Sequence, residues 1–314
     1  MTTGLPFDDF RNLIKALPGP DEGARTRAAE RSARLSAQGP ALGHLGHIAE
    51  WLAAWTGREP QVLRPLVALF AGTHGGVAGS REATQAMVEH AAAGGAMVCQ
   101  LCAANDLGLK IFDLALHMPV GDIAQEPALD ERGCAATMAF GMEAIAGGID
   151  LVCVGAIGVG GARSAAALMA ALHGGEPADW TEEHAADVER ALARHEGHLK
   201  DPLEALRRLG GRELAAIAGA ILAARMEKIP VILDGYASLA VAAVLKAAAP
   251  AAIDHCLLGH VSTEPGMARA ASVLGLAPLV ELSLGDGEGA GAAIAAGIVR
   301  NAALTHSGMA IRPE

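Results

Sequence analysis

Asp150-Leu-Val-Cys-Val-Gly-Ala-Ile157 runs directly into Gly158-Val-Gly-Gly161 and then into the alanine-rich stretch Ser164 to Leu172. A continuous apolar run, a glycine turn and a helix-forming segment, in that order, describe a strand buried on both faces and a crossover helix behind it. The same grammar repeats. Pro65 to Ala71, Leu109 to Leu116, Ile229 to Asp234, His255 to Gly259 and Pro278 to Leu284 are further apolar runs, each closed by a glycine or polar turn and followed by a helical stretch. Six such runs predict an α/β fold around a doubly wound, mostly parallel six-stranded sheet. Ahead of them, Leu42, Leu45, Ile48, Leu52 and Trp55 recur at helical spacing, so the first 64 residues read as helices. Segment 181 to 209 is charged and helical, and is expected over the sheet edge or at a dimer surface.

Composition narrows the function classes. Hydrophobic residues make up 52% and charged residues 19% of the 314 residues, which excludes a disordered chain. Aromatics reach only 3%, so Ala, Leu, Ile and Val must fill the core. The net charge is −11 and no Lys/Arg cluster forms a basic stripe, so a nucleic-acid partner is not expected. No apolar run approaches the roughly 20 residues that cross a bilayer, and no membrane association is expected. The N-terminal Met1 to Lys15 is acidic and amphipathic, without the apolar centre of a secretory signal. Five cysteines, two of them inside strand-like runs, suit reduced thiols in a cytoplasm.

Ligands of open parallel sheets bind beyond the carboxyl ends of the strands. The segments there are Gly72-Thr-His-Gly-Gly76, Gly155 to Gly161, Asp234-Gly-Tyr236, Gly259 to Gly266 and Gly285 to Gly291. Gly155-Ala-Ile-Gly-Val-Gly-Gly161 is suited to an anion, because glycines let backbone N–H groups approach closely and a helix N-terminus follows. It also reads as a plain strand-to-helix turn. The third glycine of a dinucleotide fingerprint is missing, and no Gly-Lys-Ser/Thr makes it a P-loop. Glu288, among glycines before an apolar helix, is either a general base on a rigid turn or an ordinary acidic residue at a helix start. Asp234 either orients substrate hydroxyls or caps a turn. Cys99-Gln-Leu-Cys102 reads as two helical thiols, since no second pair completes a zinc site. His195 and His198 read as a solvated helical face.

Taken together these loops resemble nicotinate-nucleotide:dimethylbenzimidazole phosphoribosyltransferases. The resemblance is carried by Asp201-Pro-Leu-Glu204, Gly210-Gly-Arg-Glu-Leu-Ala-Ala-Ile-Ala-Gly-Ala220, Ile229-Pro-Val-Ile-Leu-Asp-Gly235, Gly259-His-Val-Ser262 with Glu264-Pro-Gly266, and Gly287-Glu-Gly-Ala-Gly291. It implies a Rossmann-like large domain at 65–290, and a small helical domain built from 1–64 and 291–314. It also implies a homodimer and no cofactor or metal. The implied substrates are nicotinate mononucleotide and a benzimidazole-type base, joined during assembly of the cobalamin nucleotide loop. The family's general base falls on Glu288. Its phosphate and ribose contacts fall on Gly155, Gly158, Gly160, Gly161, Asp234 and Ser262, with Arg163 a substitute for lost hydroxyls. Its base pocket falls on His74 and Gly287.

The chain also departs from the family pattern. Ala156 replaces an acidic residue, and Gly161, Ala162 and Arg163 replace polar ones. A Gly-x-Gly-Thr-Gly segment expected after Trp180 is missing, and the loop from Thr73 to Ala86 is shortened. The Lys-Pro-Pro-Gly motif is reduced to Ala37-Gln-Gly-Pro40. These changes leave a second reading open: a nucleotide-binding or partner protein that keeps the fold without turnover.

Overall fold

The computed structural model describes residues 4–285 and 287–311. Six strands, β1 (Pro65–Ala71), β2 (Gly108–Asp113), β3 (Leu151–Ile157), β4 (Val231–Leu233), β5 (Cys256–His260) and β6 (Pro278–Val280), form one sheet in the order β2-β1-β3-β4-β5-β6. Every pairing is parallel. The six apolar runs of the sequence correspond to these strands, β1 with the same bounds and the others trimmed or shifted at their ends. The helices are α1 (Pro6–Lys15), α2 (Glu22–Ala37), α3 (His44–Thr56), α4 (Ser80–Ala92), α5 (Met97–Ala104), α6 (Glu131–Ala144) and α7 (Gly161–His173). They continue with α8 (Ala185–Arg194), α9 (Pro202–Leu209), α10 (Arg212–Met226), α11 (Gly235–Ala248), α12 (Pro265–Leu274) and α13 (Ala290–Gly308).

Alternate residues of each strand face opposite sides of a sheet. Leu66, Ala68 and Phe70 join one core with Val152, Val154 and the inward faces of α6, α7, α10 and α11. Val67, Leu69 and Ala71 join a second core with Cys153, Ile232 and residues of α3, α5 and α13. Both faces are thus covered, which is why the strands read as unbroken apolar runs. α2 packs on α3, burying Ala24, Ala28 and Ala53 together. Of the two places expected for the charged segment 181 to 209, the sheet edge is not where it lies: α8 packs on α7, and α9 on α7 and α11. Amphipathic helices with one apolar face need a helix surface beneath them, and the small residues of α7 and α11 supply it.

The scarcity of aromatics has a packing consequence. α6 and α10 cross so closely that a Cβ added at Gly219 would run into the Met138 carbonyl oxygen, and one added at Gly141 into that of Ala216. An alanine normally favours a helix over glycine by about 1 kcal/mol. At Gly219 the sign should reverse, because the clash is with backbone that no rotamer change relieves. Gly219→Ala is expected to lower stability by about 3 kcal/mol, the upper range for overpacking. Urea denaturation checks this, and an unchanged or raised midpoint would count against the tight crossing.

Candidate active site

The chain leaves β1 toward β2 on one side and returns to place β3 on the other. The carboxyl ends of β1 and β3 stay paired as far as Ala71 and Ile157, with Gly72 N–H donating to the Ile157 carbonyl at 3.1 Å, while their connections leave toward opposite faces of the sheet; the crevice outside such strand ends is the usual ligand position of a doubly wound sheet. Three loops meet there: residues 72–76 after β1, 158–160 after β3, and 287–289 before α13.

The third loop carries Glu288. Gly287, Glu288 and Gly289 all have left-handed backbone, with φ of 75°, 58° and 79°. For a non-glycine residue this conformation costs on the order of 1–2 kcal/mol, so the surroundings must enforce it. They do so through Asp234, at the end of β4. Its fully buried carboxylate accepts from Gly289 N–H at 2.8 Å and from Ala292 N–H at 2.7 Å. Glu288 N–H donates to the Ala156 carbonyl at 3.2 Å, tying the loop to the end of β3. Val67, Leu69 and Val98 press on Gly289 so closely that no Cβ would fit. Burial raises the Glu288 carboxyl above its ordinary pKa; His90 pulls it back, and the charge of Asp234 raises it further. The arrangement is a half-buried carboxylate on an overdetermined turn, with raised proton affinity. Such a group is suited to accept a proton.

The first two loops are joined by a buried pair. His74 Nε2 lies 2.6 Å from Glu213 Oε1, and the side chains are 0% and 2% exposed. An ionised carboxylate only accepts, so Nε2 carries the proton; Nδ1 faces Ser164 Oγ at 3.3 Å. Burial opposes the charge of Glu213, but His74, by charge and hydrogen bond, and Arg212 hold its carboxyl below the usual range. Glu213 Oε2 has no hydrogen-bond partner among the described residues. His74 N–H donates to Ser80 Oγ at 3.0 Å, and Ser80 Oγ donates to the Val159 carbonyl at 2.6 Å. Val159 N–H donates to Thr84 Oγ1 at 3.1 Å. Through these bonds α4 and α10 hold the loops after β1 and β3 in one arrangement.

The remaining expected residues fall as follows. Gly155 lies in β3 beside the Gly289 backbone and the Asp234 side chain, where it lets the Glu288 loop come close. Gly158 and Gly160 form the turn into α7, against the Gly72 carbonyl and the His74 ring, and Gly161 opens the helix. Gly287 covers the Ala156 carbonyl. Ser262, at the end of β5, is buried, with Oγ 2.8 Å from Met267 Sδ and accepting from Glu264 N–H at 3.3 Å. Asp234 faces the Glu288 loop from below instead of the open crevice.

Arg163 calls for a correction. The guanidinium is 1% exposed and turns inward, donating to the Gly75 carbonyl at 2.8 Å and lying 3.3 Å from Asp122 and 3.6 Å from Asp187. Two carboxylates already neutralise it, so it holds loops together and is not presented to a ligand phosphate. The cause is its place on the buried face of α7, where only an inward path to Asp122 and Asp187 is open. His195 is a second correction. It sits at the C-terminus of α8, is 1% exposed, and Nε2 bonds the Ile123 carbonyl at 3.0 Å, whereas His198 is exposed as expected. Cys99 and Cys102 lie one turn apart on α5, and all five thiols are free. Around Trp180, where the chain lacks the family's extra segment, the connection closes on itself. Trp180 is buried, its Nε1–H donates to the Gly174 carbonyl at 2.9 Å, and Tyr236 O–H reaches its own carbonyl at 3.1 Å.

Sequence reasoning missed Glu213. The available signal was an acidic residue just after Gly210-Gly211-Arg212, in a helix whose following residues to Ala224 are all apolar or glycine. A charge at the entrance to a fully buried helix needs a partner, and here that partner is His74.

Comparison with known proteins gives the family. Residues 17–314 match the family described as Phosphoribosyltransferase. The nicotinate-nucleotide–dimethylbenzimidazole phosphoribosyltransferases of Rhizobium etli and Rhizobium meliloti are each 59% identical over 324 aligned residues, spanning 98% of this chain and 96% of theirs. The crystal structure of the Thermus thermophilus enzyme of that name superimposes with a TM-score of 0.83 at 35% identity, covering 93% of this chain and 97% of that one. At this identity the altered loops are variations within an enzyme lineage, and nothing in them favours the non-catalytic reading. The chain belongs to the nicotinate-nucleotide–dimethylbenzimidazole phosphoribosyltransferase family.

Proposed function

We propose that this chain transfers the phosphoribosyl group of nicotinate mononucleotide to a benzimidazole-type base, a step of cobalamin nucleotide-loop assembly, and that it works as a cytoplasmic homodimer. The observation that carries the reading is the strained Glu288 turn pinned by Asp234 at the mouth of the β1–β3 crevice. The pyridinium nitrogen of the nucleotide is already positive, so the C1′–N bond breaks with its electron pair going to nicotinate. A ring nitrogen of the incoming base forms the new bond to C1′, and the proton on the base's ring passes to the Glu288 carboxylate. Gly287 flanks the incoming base, and the buried His74 supports the loop after β1 through Glu213. Backbone N–H groups of Gly158, Gly160 and Gly161, at the start of α7, face the phosphate. Gly155 and Ser262 shape the ribose side, and Asp234 acts by holding Glu288. The free thiols suit a reducing compartment. Among the described residues no helix is long and apolar enough to cross a membrane.

Turnover of nicotinate mononucleotide with dimethylbenzimidazole tests the reading directly. No product above a no-enzyme control, with an active relative run alongside, would overturn it. The pH profile adds a sharper check. Only the ionised carboxylate accepts a proton, and the Glu288 carboxyl is raised. Activity should therefore fall as pH drops through a value above the ordinary glutamate pKa of about 4.3. An acid limb at or below that value would count against Glu288 as the base.

A further inference from the structure

β5 ends on Gly259 and His260, against the first turn of α13. Two glycines let the strand and the helix meet there. A Cβ added at Gly259 would lie 3.0 Å from Ala292 Cα and 3.2 Å from its N, and one added at Gly291 would run into the His260 ring. The strand glycine thus lets the Ala292 amide approach Asp234, and the helix glycine makes room for the imidazole. His260 and Asp234 are both fully buried. His260 Nδ1 lies 3.3 Å from Asp234 Oδ1, the same oxygen that accepts from Ala292 N–H at 2.7 Å. The other oxygen accepts from Gly289 N–H at 2.8 Å.

A carboxylate only accepts, so the proton on the ring edge that faces it belongs on Nδ1. The nitrogen stands off the line of a hydrogen bond to Oδ1, so the ring acts on the carboxylate by charge and by filling the space beside it. The imidazole lies against Asp234 on one side and Gly291 on the other. A turn of the carboxylate away from its two amides would have to displace the ring. Being fully buried, His260 reaches the chemistry only through others. The route runs from the ring to the Asp234 carboxylate, then to the amides of Gly289 and Ala292, and so to the left-handed backbone of Glu288 at φ 58°. Such a conformation persists only while its surroundings enforce it.

We propose that His260 is a positioning residue for phosphoribosyl transfer, setting the Asp234 carboxylate that in turn fixes the Glu288 turn; this rests on the reading of Glu288 as the base. Steady-state kinetics on the full chain with nicotinate mononucleotide and dimethylbenzimidazole tests it, with Glu288→Gln run alongside. His260→Leu fills similar space without the polar edge. It should lower kcat by about 10–10²-fold, while KM for the nucleotide stays within about twofold of wild type. His260→Asn puts an amide N–H near the place of Nδ1 and should restore kcat to within about threefold of wild type. In the Glu288→Gln background, His260→Leu should cost less than about threefold more, because residues that act through one group are not additive. Should His260→Leu fail to fold, Gly291→Ala takes its place, since the added methyl drives the intact ring from Asp234, and the same loss in kcat is expected. Unchanged kcat in the variant used, with a large loss in Glu288→Gln, would overturn the proposal and leave the base in place. So would equal fold losses in both backgrounds, or no recovery in His260→Asn, since the ring would then serve only the fold. No loss in Glu288→Gln would remove Glu288 as the base, and this inference with it.

Discussion

Glu288→Gln is expected to lower kcat by roughly 10²–10⁴-fold while leaving the thermal midpoint near that of wild type. Glutamine keeps the size of the side chain and its hydrogen-bonding reach. The backbone of the turn is held by Asp234 and the Ala156 carbonyl, and neither bond involves the Glu288 side chain. What disappears is the capacity to accept a proton. Binding of the nucleotide relies on other loops, so KM for nicotinate mononucleotide should change little, and the loss should sit in kcat. Steady-state product formation at saturating base and nucleotide measures both. A loss under about fivefold would mean that the proton goes elsewhere, to water or another group, and would remove Glu288 from the chemistry.

His74→Ala should be the most destabilising single change in the crevice, by about 3–5 kcal/mol, because it leaves the Glu213 charge buried and alone. Gly72 and Gly211 press against the carboxylate, so water has little room to enter and replace the imidazole. Glu213→Gln in the same background removes the stranded charge, and the double variant should recover part of the loss. A double-mutant cycle in urea at neutral pH gives the coupling. The pH dependence has a definite sign. The Glu213 pKa is lowered in the folded state. Its stabilisation is therefore complete above the unfolded glutamate pKa of about 4.3 and fades as pH falls through the lower folded value. Wild type should lose this contribution in acid, whereas Glu213→Gln should not. Additive single changes would show that the two side chains are neighbours without mutual support.

The sheet was legible because its strands are buried on both faces. Nothing polar interrupts Leu151 to Ile157, and a glycine turn marks where the strand ends. The crevice loops were legible for the same reason, since strand ends locate them whatever they contain. Charged side chains near those loops were not. Arg163 follows a glycine turn at a helix start, where sequence suggests an anion ligand, but its direction is set by Asp122 and Asp187, which arrive from distant segments. Asp234 could be read as a ligand or a cap at the strand end. The hydrogen bonds it makes, to Gly289 and Ala292, link residues more than fifty positions apart. The His74–Glu213 pair spans 139 positions, and no local pattern announces it. Local periodicity reports which face of an element is apolar; it carries no record of which charges will meet.

The helix that carries Glu288 at its start also seals one face of the sheet. Ala292, Ala293, Ala295, Ala296 and Val299 of α13 complete the second core, and the amides of Gly289 and Ala292 are what Asp234 grips. During synthesis the other strands and helices emerge first, and β4 ends on a carboxylate still waiting for its donors. Closing the second core and pinning the Glu288 turn are then one event, and it waits for α13 to emerge. A polypeptide made only as far as β6 would hold all six strands without a fixed Glu288 turn. The last-made helix thus sets both the packing of the sheet and the shape of the turn that carries Glu288.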